Sequence, residues 1–215
     1  KGITRLQFLK NSGMTAAGVM LFHSNDLAKN FSRTLYINGV AGYQIVVPAE
    51  ASDIEKHAAE QLRHYLQGMS GTKVTITGEN TYSGKAAIFI GSTKLAKSKS
   101  VDVKSLQADG YLFKPSGNNF IIAGGSGNGS LYGVYALLEA AGCRKYTSAV
   151  TFVPKNNAIS FPKKAVKDVP YIQYRSTSYR DTLDGEYAGW HRLSSRDSWG
   201  MFVHTFNELV PPDEY

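Results

Sequence analysis

The stretch GGSGNGSLYGVYALLEAAG, residues 124 to 142, is where this sequence comes nearest to a recognisable chemical device. A glycine-rich turn entering a helix presents backbone N–H groups to an anion at the positive end of the helix dipole. A nucleotide cradle also needs charged residues at fixed places. A dinucleotide site calls for a carboxylate about twenty residues further on, to hold a ribose, and the region from Ala140 to Lys155 has none. A triphosphate loop calls for Lys and then Ser or Thr after its last glycine, whereas here Gly129 is followed by Ser130 and Leu131. The glycines are therefore expected to make a tight turn and let helix and sheet approach closely, with Ser130 as the helix cap.

Other reactive groups are sparse. Cys143 is the single cysteine, so no internal disulfide can form, and nothing has the repeated Cys and His spacing of a zinc site. Cys143 follows the glycine that ends an apolar helix and is expected to be a buried, inert thiol. No metal and no cofactor are expected. The formal charge is +7, but the lysines fall in loop-like pieces, 94 to 104 and 161 to 167, rather than along one helix face. That pattern predicts solvated surface and no nucleic-acid partner.

At the N-terminus Lys1, Arg5 and Lys10 precede a short apolar run from Met14 to Phe22. The run is too short for a stable membrane span. It resembles a bacterial export signal, the alternative being an amphipathic helix; export would place the protein outside the cytoplasm, in the periplasm, at the cell surface or secreted.

The elements that must position any site follow from periodicity. RTLYINGVAGYQIVVPAEA, from residue 33, reads as two strands around an Asn-Gly turn. Ser52 with Glu55 is a capping box, and Ile54, Ala58, Leu62, Tyr65, Leu66 and Met69 recur at helical spacing until Ser70-Gly71. Residues 73–79 and 85–92 read as strands, the second apolar enough to be central. Residues 109–126 read as a hairpin, and Leu131, Val134, Tyr135, Leu137, Leu138 and Ala141 form the apolar stripe of a second helix. Two proline-bounded polar stretches then suggest a linker, followed by strand-like pieces at Tyr171 to Ser176 and Met201 to Phe206. Two short strands cannot close a core of their own, so the last portion reads as the opening of a second domain.

Taken together, GGSGNGSLYGVYALLEAAGCRKYTS, AEASDIEKHAAEQLRHYLQGMSGTKVTI and AIFIGS resemble the N-terminal α/β domain of bacterial α-glucuronidases and β-N-acetylhexosaminidases. VPYIQYRSTSYRD is similar to the first barrel strand of these glycosidases, and WGMFVHTFNELVPPDEY resembles the domain of unknown function 4838 family. The resemblance implies an α+β fold, an α/β sandwich whose mixed sheet is covered by two helices, followed by the first strands of an incomplete (β/α)8 barrel. The expected division is an export-signal-like or helical segment at 1–30, an accessory α/β domain at 31–165, and a linker with the barrel start at 166–215.

The resemblance also implies where sugar chemistry would lie. In these families the α/β domain does no catalysis, and no catalytic residue is assigned here. Asp181, Asp184 and Glu186 are expected to be solvated loop acids. Arg175, near the C-terminal end of the first barrel strand, matches an arginine that binds sugar hydroxyls in hexosaminidases; a rim ion pair is the alternative. His204 would hold the equivalent place on the second strand, as ligand contact or buried structural histidine. Tyr179 and Trp190 would either form a stacking wall for a pyranose or pack under the loop. The implied function is the non-catalytic N-terminal portion of an exported glycoside hydrolase-like protein of carbohydrate metabolism, its α/β domain bracing a sugar-processing barrel that takes the glycan. The alternative is a catalytically inactive carbohydrate-binding or cell-surface interaction protein.

Overall fold

The Asn38-Gly39 pair takes positive φ angles of 50° and 83°, which suit a tight hairpin between right-twisting strands. In the computed structural model, which describes residues 35–194, this turn joins β1 (Tyr36–Ile37) to β2 (Val40–Ala41). The chain then enters β3 (Gln44–Val47), so the stretch read as two strands makes three.

The helix α1 (Asp53–Ser70) starts at the predicted capping box and stops against Gly71. After it come β4 (Ile76–Gly78) and β5 (Ala87–Ile90), a short α2 (Lys94–Ser98) and a 3-10 turn at Lys104–Leu106. The predicted hairpin is β6 (Tyr111–Ser116) and β7 (Asn119–Gly124), and the glycine turn leads into α3 (Gly129–Ala140). Short strands β8 (Arg144–Lys145), β9 (Thr151–Phe152), β10 (Ala158–Ile159) and β11 (Val166–Asp168) follow, and the described region ends with a 3-10 turn at Arg180–Leu183 and α4 (Gly185–Trp190).

Six strands form the main sheet in the order β11-β6-β7-β5-β3-β4. β3, β4, β5 and β7 run parallel, while β6 and β11 give the sheet an antiparallel flank. β5 lies between β3 and β7 with every residue buried, as its unbroken apolar run predicts. β10 turns back to pair with β1, and β8 with β9 makes a separate hairpin.

Both long helices lie on one sheet face. Leu62, Leu66 and Met69 of α1 and Val134, Leu137 and Leu138 of α3 share one buried cluster with Ile45, Ile88, Ile90 and Ile122 of the strands. Burying each such side chain contributes roughly 1.5–3 kcal/mol, which makes this layer the main source of cohesion. The other face carries Val46, Ala87, Phe89, Ile121 and Ala123, and its cover is slight: Ala96 of α2 and Leu106 of the 3-10 turn. Cys143 is buried, as expected, with its Sγ 3.7 Å from Met69 Sδ at the end of α1; burial pushes its thiol up to about 11.

Three local expectations are revised. Ser130 does not cap α3: the cap position is Asn128, without a side-chain bond, and Ser130 lies buried inside the first turn. Val166–Asp168, assigned from sequence to the linker, instead pair with β6 and form the edge of the main sheet. Tyr171–Ser176, expected as a barrel strand, has no strand pairing among the described residues; the neighbouring piece from Met201 to Phe206 lies outside them.

Candidate functional site

The glycine turn shows where an anion would go and what occupies the place. The amides of Gly125, Ser126 and Gly127 donate to the carbonyls of Gly110, Gln107 and Ala108 at 2.9, 3.1 and 2.8 Å. The Asn128 amide donates to Asp109 Oδ1 at 3.2 Å. Consecutive N–H groups that could have cradled a phosphate are thus bound by the loop before β6 and by one carboxylate. Only glycine permits the approach at residue 125, since a Cβ there would overlap the Gln107 carbonyl oxygen. The turn is a close backbone contact, as the sequence predicts.

Asp109 has a second oxygen, and Arg175 takes it. Arg175 Nη2 donates to Asp109 Oδ2 at 2.8 Å. The same guanidinium donates from Nε to the Arg192 carbonyl at 2.7 Å and from Nη1 to those of Ile172 and Gln173 at 2.7 and 3.2 Å. It also lies 5.8 Å from the centroid of the Tyr132 ring. Little of the planar fork is left for a sugar hydroxyl. Of the two alternatives for Arg175, this geometry is the ion pair, with its acid supplied by the α/β domain. Backbone contacts close the junction: Ser194 N donates to Arg175 O at 2.7 Å, and Arg175 N to Ser194 Oγ at 3.0 Å.

Trp190 departs from the stacking-wall expectation. It is 1% exposed, stacked on Tyr135 at 4.8 Å between centroids and 27° between planes, and edge-on to Tyr65 at 5.2 Å. The reason is the turn Asp184 makes: its carboxylate caps α4 by accepting from Tyr187 N at 2.7 Å, and one face of this short helix then drops onto α1 and α3. Tyr179 remains half exposed, its hydroxyl 2.7 Å from that of Tyr187; this hydrogen bond, ahead of burial, raises Tyr187 to about 12. His204 lies outside the described residues. The structure therefore does not gather Arg175, Tyr179 and Trp190 into one cleft.

What gathers instead is a seam between residues 171–194 and helices α1 and α3. Glu186, expected as a solvated acid, accepts from Tyr65 Oη at 2.8 Å and pairs with Lys145 Nζ at 3.5 Å, the lysine side chain being only 6% exposed. Burial first, and the Glu186 contact second, hold the Tyr65 hydroxyl well above its ordinary range. Arg192 grips Glu139 with both Nη atoms, at 2.6 and 3.4 Å. Burial works against the Arg192 charge, but the Glu139 carboxylate outweighs it, so the guanidinium is held more firmly charged than usual. Tyr132 Oη donates to the Leu193 carbonyl at 3.2 Å. Asp181 accepts from the hydroxyl and amide of Ser148, at 2.6 and 3.2 Å, which holds its carboxyl below the usual range. Asp109, Glu139 and Lys145 were not singled out from sequence, and Tyr65 only as part of the apolar stripe of α1, because nothing in local spacing marks a residue whose partner lies tens of positions away.

The described residues contain no group of three or more His, Cys, Asp or Glu side chains placed to hold a metal ion, and no helix long and apolar enough to cross a membrane.

A mixed sheet with both long helices on one face defines an α/β domain, and residues 171–194 are fastened to its helices. Residues 38–137 match the family described as "Glycosyl hydrolase family 67 N-terminus", and residues 145–215 match "Domain of unknown function (DUF4838)". The chain carries a glycoside hydrolase N-terminal domain. It is 31% identical over 85 residues to "Probable alpha-glucuronidase A" of Aspergillus terreus (strain NIH 2624 / FGSC A1156), a match covering 38% of this chain and 10% of that protein. Similar solved structures include a family GH115 4-O-methyl-α-glucuronidase with specificity for decorated arabinogalactans, at 16% identity, TM-score 0.48, and coverage of 63% of this chain and 19% of that one. Another is the GH20 β-N-acetylhexosaminidase from Streptomyces coelicolor A3(2), at 15% identity, TM-score 0.39, and coverage of 62% and 23%.

Proposed function

We propose that this chain is the non-catalytic N-terminal portion of an exported glycoside hydrolase-like protein of carbohydrate metabolism, in which the α/β domain braces a sugar-processing barrel that takes the glycan. The observation that carries the reading is the seam. Arg175, Glu186, Trp190 and Arg192, which fall within the second family match, are fastened to Asp109, Tyr65, Lys145, Tyr135 and Glu139. An element with its charged groups paired and its large aromatic sunk in the neighbouring core transmits position well and offers little to a substrate. Export is supported by the basic residues ahead of the apolar run from Met14 to Phe22.

The test has two parts. The chain by itself is expected to give no turnover of aryl glycosides, and measurable hydrolysis overturns the non-catalytic reading. Hydrogen exchange should protect amides of residues 185–194 together with α3; exchange of that segment at the rate of a free peptide removes the brace.

A further inference from the structure

Asn-Gly occurs twice in this sequence, at residues 38–39 and 128–129. The pair carries chemistry of its own. The glycine amide nitrogen can attack the asparagine side-chain carbonyl carbon, because no glycine Cβ obstructs the approach. Sequence makes the two sites equal; their surroundings do not.

At the second site Gly129 is buried in the first turn of α3, where a Cβ would overlap the Gly110 carbonyl oxygen. Asn128 is half-buried, its backbone amide on Asp109 Oδ1 at 3.2 Å and its side-chain Nδ2 donating to Tyr132 Oη at 3.4 Å. Its carbonyl accepts from Tyr132 N at 2.9 Å. Rotating this backbone to close a ring therefore breaks the first bond of the helix.

At the first site Asn38 and Gly39 are both exposed, and a Cβ on Gly39 would meet nothing within 4 Å. Phe161 N donates to Asn38 Oδ1 at 2.9 Å. A backbone N–H can only donate, so the atom facing it is the amide oxygen. Negative charge grows on that oxygen when a nitrogen attacks the carbon, and a fixed donor at this distance stabilises it. The donor is fixed: Phe161 is 4% exposed, with its ring centroid 4.9 Å from that of Phe120, and β10 just before it is paired with β1. A cavity of about 150 Å³, lined by Asn38, Asn118 and Phe161 among others, admits water beside the amide.

We propose that Asn38 is a self-modification site, converting to aspartate and isoaspartate with the Phe161 amide assisting, while Asn128 is protected by its helix. The Gly39 N–H gives its proton to hydroxide, and the nitrogen bonds to the Asn38 side-chain carbonyl carbon. The side-chain nitrogen takes a proton from water and leaves as ammonia. Water then opens the imide at either carbonyl. Isoaspartate adds one carbon to the main chain of a two-residue turn and so disturbs the pairing of β1 with β2 and β10.

Peptide mapping of the full chain, held in mildly alkaline buffer with and without urea, tests this through the gain of one mass unit at each asparagine. In the folded chain Asn38 should lead Asn128 by roughly tenfold or more, since α3 must open first. In urea the two should convert at similar rates. A folded-state lead no larger than the lead in urea overturns the assignment. Folded Asn38 should also stay within roughly threefold of its own rate in urea, and slowing beyond that overturns the assistance from Phe161. Asn38→Asp, which keeps an acceptor for Phe161, should hold the wild-type thermal midpoint, with the isoaspartate form below it. Equal midpoints of the two forms overturn the claim that the turn holds the small sheet in register.

Discussion

At the start of α1 the anion that the exposed amides require comes from Glu55, three residues past Ser52; at the start of α3 it comes from Asp109, nineteen residues before Asn128. Both carboxylates are bidentate in use, and their second oxygens differ in destination. Glu55 Oε1 accepts from Ser92 N at 2.9 Å, at the C-terminal end of β5, where β4 and β5 diverge to either side of β3. This is the crevice in which open α/β sheets hold ligands. Glu55 therefore closes that crevice from within, packed against Gly91, whose φ of 84° favours glycine and whose missing Cβ leaves room for the carboxylate. Asp109 Oδ2 instead reaches Arg175 in the C-terminal segment. One plug completes the sheet domain; the other hands its charge outward to the seam.

The seam itself should be the most damaging place to break this contrast. Trp190→Ala empties a site packed by Tyr65 and Tyr135 and is expected to cost about 3–5 kcal/mol, read as a lower urea midpoint. Exchange protection should fall in residues 185–194 while β5 and β7 keep theirs. Equal loss throughout would mean that the segment and the sheet domain form one cooperative unit, and that the two plugs do not serve separable regions.

Asp109→Ala comes next. It strands the Arg175 guanidinium, whose side chain is 20% exposed, and frees the Asn128 amide. Loss of a mostly buried pair with a helix-start acceptor is expected to cost roughly 2–3 kcal/mol. Asp109→Asn keeps an acceptor for Asn128 and removes the charge, so it should cost less and act on residues 171–194 more than on α3. Glu55→Ala, acting on one cap and one loop, is expected to cost about 1–2 kcal/mol and to leave the exchange of residues 171–194 unchanged. If Glu55→Ala loosens that segment as much as Asp109→Ala does, the distinction between a closed plug and a connecting one fails.

The same two residues show what the sequence discloses. Glu55 is legible because its partner is three positions away and the capping box is a local pattern. The helices, the central strand β5 and the hairpin β6–β7 are legible for a related reason, since periodicity records which face is buried. Asp109 is invisible because its role depends on a turn brought near only after β6 and β7 pair. Trp190 reads as a possible sugar wall while its surroundings are polar in sequence; only the Asp184 cap and the helix it starts turn the ring into the core. Tyr171–Ser176 has strand composition, but strand formation needs a partner, and composition does not carry one. Ser130 looked like a cap because the helix start was placed two residues late, a usual error at boundaries.

Cys143 offers the smallest effect and a check on the whole comparison, because it lies against Met69 at the far ends of both helices, away from either plug. Burial raises its pKa from 9.0 to about 11. A raised thiol favours the folded state below the unfolded value, and that contribution is lost as pH climbs from 9.0 to about 11. A fall in thermal midpoint is expected across that window, smaller in Cys143→Ala, which keeps only the share contributed by the raised Tyr65 and Tyr187 hydroxyls as pH passes 10.0. At neutral pH the native thiol should react with a disulfide reagent only through unfolding. In Glu55→Ala and Asp109→Ala the reaction should therefore quicken only in proportion to each variant's lost global stability. Faster reaction than that, in either variant, would mean that releasing a helix start opens the opposite helix end, and the plugs would then have to be understood as holding the whole helix layer rather than the turns they fill.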